Sequence, residues 1–304
     1  MKKGEAMLEP GYVVLESRSL ITVGGPDCAE FLQGLISNDI NRVSPERAIW
    51  AALLTPQGKY LHDFFINVMD GVYYLDCEKP RFMDLGQRLS RYKLRANIEL
   101  GVDDSMAVFA LPGEASSGKL GLPAEPGAAK VLDGGVVYVD PRLAAVGARA
   151  VLPRDDGEAL LKQQGFAPQP VDVYDRLRLE CGLPDGSRDL VVEKATLLES
   201  NFEELHGVDW DKGCYMGQEL TARTKYRGLV KKRLLPVEIT GDAPEPGTQI
   251  LLDGKDAGEM RSSADGHGLA LLRLDHLDRA LRGEGVLQAG ETTLTPRKPD
   301  WATF

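Results

Sequence analysis

At 304 residues and 43% hydrophobic, the chain is long enough for two domains, or one larger segmented domain, around a real core. Its net charge of −10 argues against a general nucleic-acid binder. No stretch approaches the roughly 20 apolar residues of a membrane span, so no membrane partner is expected.

In chain order, residues 12–15 and 20–23 read as a pair of strands. Gly24-Gly25-Pro26-Asp27 opens a helix whose apolar positions Cys28, Phe31, Leu32, Leu35 and Ile36 follow helical spacing. Residues 49–55 and 60–69 form a hairpin about the turn Pro56-Gln57-Gly58-Lys59, and 72–77 return after Asp70-Gly71. A helix is expected over 80–92, with strands over 94–102 and 106–111. This is an α+β pattern, and hairpin connections make its sheets largely antiparallel. Residues 112–135, rich in Gly, Pro, Ala and Ser, read as an exposed excursion between two lobes. Strands resume at 136–139 and 148–152, followed by helices at 155–164 and 171–181. Residues 187–208 show no clear period and read mostly as loop. After 233, short strands alternate with Gly- and Pro-rich turns, the texture of a small antiparallel barrel. The expected division is 1–233, in lobes 1–111 and 112–233, followed by a barrel over 234–304.

Cys28, Cys77, Cys181 and Cys214 are widely spaced. Without a CxxC pair they indicate neither a zinc site nor a redox couple, and they read as reduced thiols. No metal site is expected. Residues 1–10 carry two lysines with no apolar run behind them, resembling neither a signal nor a transit peptide, and the expected location is cytoplasmic.

The chemistry concentrates in Asp211-Lys212-Gly213-Cys214-Tyr215-Met216-Gly217-Gln218-Glu219. Two glycines around a thiol suggest special backbone angles or close approach by a ligand. A cysteine at the start of the helix-like run over 220–226 would have its thiolate favoured by the dipole and by Lys212; a buried structural cysteine is the plainer reading. Seven basic residues and one acid lie between Lys212 and Arg233, and Arg88, Arg91, Lys93 and Arg95 form a second basic group. They suit an anionic partner or a solvated face. Glu180 sits late in a helix, against the dipole, and calls for a local partner, either a cation such as Arg176 or Arg178 or a ligand. His62 and Asp63 neighbour each other on a strand, so one of them would face a pocket.

Lys-Gly-Cys-Tyr-x-Gly-Gln-Glu over 212–219, with Ala222-Arg223 and Tyr226-Arg227-Gly228 behind it, resembles the signature of the YgfZ family. These are folate-binding proteins related to the glycine-cleavage T-protein and implicated in iron–sulfur cluster assembly. The run over 31–39, the Gly58-Lys59 hairpin, Tyr92-Lys93-Leu94-Arg95 and 176–182 fall in that family's order. The resemblance implies an α+β, T-protein-like, two-lobed folate-binding region with a C-terminal β-barrel, and tetrahydrofolate as cofactor. It assigns Cys214 and Lys212 to the chemistry, Glu180 to the pterin, and Tyr215, Gln218, Arg223, Asp63 and Arg95 to the folate. A carboxylate accepting two parallel N–H bonds would fix the pterin's geometry. The implied partners are iron–sulfur client enzymes or cluster-assembly factors; RNA is a lesser candidate for the cations. Where the T-proteins carry paired aspartates, this chain has His62 before Asp63, which weakens the case for aminomethyl transfer. A folate-dependent aminomethyl- or methyltransferase and a non-catalytic adaptor stand as alternatives. Stable [4Fe–4S] binding needs about four thiolates at one site, so no resident cluster is expected.

Overall fold

Strand formation in the first half follows from β-branched and aromatic residues held in hairpin register. The computed structural model describes residues 9–304; the leader reading falls mostly on residues 1–8, outside them. The chain divides into two compact units, one of residues up to Ala51 with Asp63–Tyr174, the other of Ala52–His62 with Asp175–Phe304. The division cuts the strands Ile49–Leu54 and Tyr60–Met69, both almost wholly buried.

The first unit holds a six-stranded sheet in the order Ala167–Pro168, Gly11–Val14, Met106–Pro112, Gly147–Pro153, Gly135–Val139, Ala129–Leu132. All its pairings are antiparallel except the edge pair of Gly11 with Ala167. A five-stranded sheet runs Ile49–Leu54, Tyr60–Met69, Val72–Glu78, Arg18–Gly24, Glu99–Val102. Residues 112–135 are not an excursion. Leu120, Leu122 and Ala128 join the core of the six-stranded sheet, and Ala129–Leu132 is its edge strand. Met106–Pro112 pairs along its length with Gly147–Pro153, so residues on both sides of the expected lobe boundary at 111/112 share one sheet. Glycine and proline there mark tight turns inside a sheet, a composition they share with exposed linkers.

Strands of this sheet pair carry lone charges that need partners once buried. Asp76, fully buried, accepts from Arg18 Nε and from Arg149 Nη2, each at 2.6 Å. Asp140 accepts from Arg142 at 2.7 Å, and Arg142 and Arg149 both donate to Tyr174 Oη. The three guanidinium carbons lie 5.7, 4.8 and 4.0 Å from the centre of the Phe65 ring, which is the cross-strand partner of Asp76. Burial disfavours the charged Asp140 carboxylate, yet Arg142 and Arg149 outweigh it and hold the group below its usual range. Burial also pushes the Cys77 thiol up to about 12, partly offset by Arg18, which leaves it an inert core residue.

In the second unit, strands over 232–296 close into a six-stranded antiparallel barrel around Leu235, Val237, Ile250, Met260, Ala270 and Leu272. The helix Leu274–Leu281, absent from the sequence reading, lays Leu277 on this core. The helix Val171–Glu180 is tied to the barrel by Arg178. Its guanidinium donates to Asp175 at 2.7 Å, Asp189 at 2.9 Å and Ser262 at 3.0 Å. Residues 187–208 are loop, as expected, but packed loop, with Leu197, Leu198, Phe202 and Leu205 buried.

Candidate functional site

The helix behind the cysteine motif runs Gln218–Tyr226 and starts from Gly217, whose φ is 81°. Cys214 therefore sits four positions before the first helical residue, and the expectation of a helix-start thiolate is corrected: the loop intervenes. The loop is closed locally. The Tyr215 amide donates to the Gln218 side-chain oxygen at 3.3 Å, and the Gln218 amide donates to the Tyr215 carbonyl at 3.2 Å. Tyr215 is buried, which pushes its phenol up to about 12 against the lowering effect of Thr221. The Lys212 ammonium lies 5.1 Å from the Tyr215 ring centroid. Of the four cysteines, Cys28 and Cys77 are buried, Cys181 is half-buried and Cys214 is exposed.

The two glycines of the motif do different work. Gly213, φ 86°, would offer a β-carbon open space. At Gly217 a β-carbon would lie 2.5 Å from the Thr55 carbonyl oxygen and 3.1 Å from Gly58 Cα. At Gly58, φ 77°, one would lie 2.7 Å from the Gly217 carbonyl oxygen and from Leu220 Cβ. The Pro56–Lys59 turn and the cysteine motif, read separately in the sequence, are thus packed backbone to backbone through paired glycines. Gly217→Ala should cost about 2–4 kcal/mol, a left-handed penalty plus overpacking. Gly213→Ala should cost only the first, about 1–2 kcal/mol. Denaturant midpoints of the two variants check this ordering.

Glu180 ends its helix half-exposed, 3.2 Å from His267 Nε2 and 3.8 Å from Arg176 Nε. The cation inferred from the dipole is Arg176, and a further contact, with the imidazole of His267 in the barrel, had no signal in the sequence. Beyond it, the Trp301 indole donates to the Cys181 carbonyl at 2.8 Å, satisfying a helix-end acceptor.

Most of the basic cluster is already engaged. Arg223 pairs with Glu219, Lys225 with Glu203 while lying 3.9 Å from the Trp210 ring centroid, and buried Arg233 with Glu204 at 2.9 Å. The Arg223–Glu219 pair is a solvent-exposed contact within one helix. Arg227 and Lys231 remain exposed, with no partner among the described residues. His62 and Asp63 are both buried, because their strand is covered on both faces. Asp63 accepts the Trp50 indole N–H at 2.9 Å, so it is a core acceptor rather than an open pocket carboxylate. Arg95 is exposed and, like Asp63, belongs to the first unit; Lys212, Cys214, Tyr215, Gln218, Arg223 and Glu180 belong to the second. Among the described residues no group of three or more His, Cys, Asp and Glu is placed to hold a metal ion.

Residues 231–304 match the CAF17 C-terminal beta-barrel domain family. The chain is similar to the solved structure of glycine cleavage system aminomethyltransferase T from Bartonella henselae, with a TM-score of 0.76 and 16% identity over 97% of this chain and 87% of that one. That likeness shows a T-protein-like fold. It is 33% identical to the iron–sulfur cluster assembly factor IBA57, mitochondrial, of Homo sapiens, and 32% identical to that of Mus musculus, each over 94% of this chain and 84% of the relative. A homologue from Coccidioides immitis (strain RS) is 31% identical over 96% of this chain and 83% of its own. These relatives are named as mitochondrial, which overturns the cytoplasmic expectation: dispersed reduced thiols suit any reducing compartment and could not single out the cytoplasm. By these full-length identities, the chain belongs to the IBA57 family of iron–sulfur cluster assembly factors.

Proposed function

We propose that this protein supports assembly or repair of iron–sulfur clusters in client enzymes, offering the Cys214 thiol to a cluster or client in transit and binding tetrahydrofolate through Glu180. The observation that carries the reading is the presentation of Cys214. It is the exposed thiol of the four, on a loop held by the Gly58–Gly217 contact and the Tyr215–Gln218 closure. One thiolate cannot hold a cluster alone, so the cluster is cargo and its remaining ligands come from the partner. Folate support is narrower. With Arg223 ion-paired, Gln218 closing the loop and Asp63 bonded to Trp50, Glu180 is the assigned polar group with an accessible carboxylate. Its oxygens, already beside His267 and Arg176, would accept the pterin's N–H donors. The naming of the relatives favours a mitochondrial location.

In cells lacking this protein, Cys214→Ser is expected to fold but not to restore cluster-enzyme activity; full restoration would leave the adaptor reading instead. Calorimetry should show tetrahydrofolate binding weakened about 10–100-fold by Glu180→Ala. Absence of binding by the unmodified protein would remove folate while leaving the thiol role standing.

A further inference from the structure

The helix Phe82–Lys93 does not end on a glycine. Leu94 follows with φ 43° and ψ −106°, and the Ala96 amide donates to the Lys93 carbonyl at 2.7 Å. This is a type II′ turn with leucine at its first corner, where positive φ normally selects glycine. A β-carbon there is strained, and the side chain recovers nothing by packing, because Leu94 is 88% exposed. The turn is pinned from behind. The Asp27 carboxylate accepts the Asn97 amide at 2.6 Å, and a β-carbon on Gly25 would lie 2.6 Å from the Asn97 carbonyl oxygen. The leucine is therefore held outward on a fixed support.

Its surroundings are cationic. Arg91, Lys93 and Arg95 have no carboxylate partner among the described residues, whereas Arg81 and Arg88, nearer the start of the same helix, are paired with Glu78 and Asp84. Tyr92, 37% exposed, adds an amphipathic ring. An acidic protein would need an apolar pocket placed among its carboxylates to receive such a tip. A bilayer interface offers anionic charge and apolar depth together at every point.

We infer that the turn around Leu94 docks this protein on the surface of an anionic phospholipid bilayer. Leu94 enters the headgroup–acyl boundary, and Arg91, Lys93 and Arg95 meet lipid phosphates. The net charge of −10 does not prevent this, since screening over about 8 Å leaves the local cations to decide. No helix among the described residues is long and apolar enough to cross a membrane, and the inferred contact is a peripheral one, unlike the expectation of no membrane partner. Each cation should contribute about fivefold to the partition.

Co-sedimentation of the full chain with phosphatidylglycerol-rich vesicles, against pure phosphatidylcholine, tests this. Binding is expected to the anionic vesicles alone and to fade with added salt. Leu94→Gly should weaken it about tenfold or more without lowering Tm, because the variant removes a strained β-carbon and no packing. Replacing Arg91, Lys93 and Arg95 by serine should weaken it about a hundredfold. No binding by the unmodified protein, or equal binding by Leu94→Gly, overturns the inference. So does a Leu94→Gly variant that loses cluster-enzyme rescue in cells while neither protein binds vesicles, since the tip would then dock on a protein.

Discussion

Asp189→Ala is expected to destabilise the protein by about 3–5 kcal/mol, the cost of stripping one partner from a buried ion pair. The Asp189 side chain is fully buried and takes four donors on two oxygens. Arg178 Nη1 and the Asp185 amide donate to one, and the Ser262 amide and hydroxyl donate to the other. Removing it leaves a fully buried guanidinium with Asp175 and Ser262 as its remaining side-chain contacts, and leaves two amides without their acceptor. The same contacts join the helix ending at Glu180 to the barrel strand Lys255–Ala264, so the variant should also loosen the Glu180–His267 pair. Urea unfolding followed by tryptophan fluorescence reads the loss. A change under about 1 kcal/mol would mean that water reaches Arg178, and the core role assigned to it would fail.

Asp76→Ala should cost a similar amount, about 3–5 kcal/mol, for a different reason. Three guanidinium groups share the Phe65 ring, and Asp76 is the carboxylate that bridges Arg18 and Arg149. Without it two like charges lie close together in a low-dielectric interior and lose the carboxylate that joins them. A second substitution separates this from simple loss of packing. Asp76→Ala with Arg149→Met should be more stable than Asp76→Ala alone, because deleting an orphaned charge removes the penalty that its partner's loss created. Additive or worse behaviour in that cycle would refute the charge argument and leave a packing defect as the cause.

Some of this was signalled along the chain. A lone arginine or aspartate inside an apolar strand, as in Arg18-Ser19-Leu20-Ile21-Thr22-Val23 or Gly147-Ala148-Arg149-Ala150-Val151, states that a partner must exist. It does not say which. The cysteine motif was legible because its glycines mark local backbone angles, and φ at Gly213 and Gly217 is positive. The position of Cys214 relative to the helix was not, since a cap set by Gly217 differs by only a few residues from one set at the thiol. The Arg223–Glu219 pair was not singled out, because in one dimension a partner one helical turn away competes with every distant alternative.

What the sequence determined by itself was most of the strands and helices, the turn at Gly58, and the change to a barrel near 233, all consequences of side-chain periodicity and of residues that set φ. Only the tertiary structure decided that residues 112–135 belong to a sheet core, that Gly58 meets Gly217, that Glu180 meets His267 and that Asp63 is held by Trp50. Except for Asp63 and Trp50 on neighbouring strands, these contacts join positions far apart in the chain. Such pairs form through packing and charge neutralisation after the chain folds, and neither process leaves a mark in local periodicity.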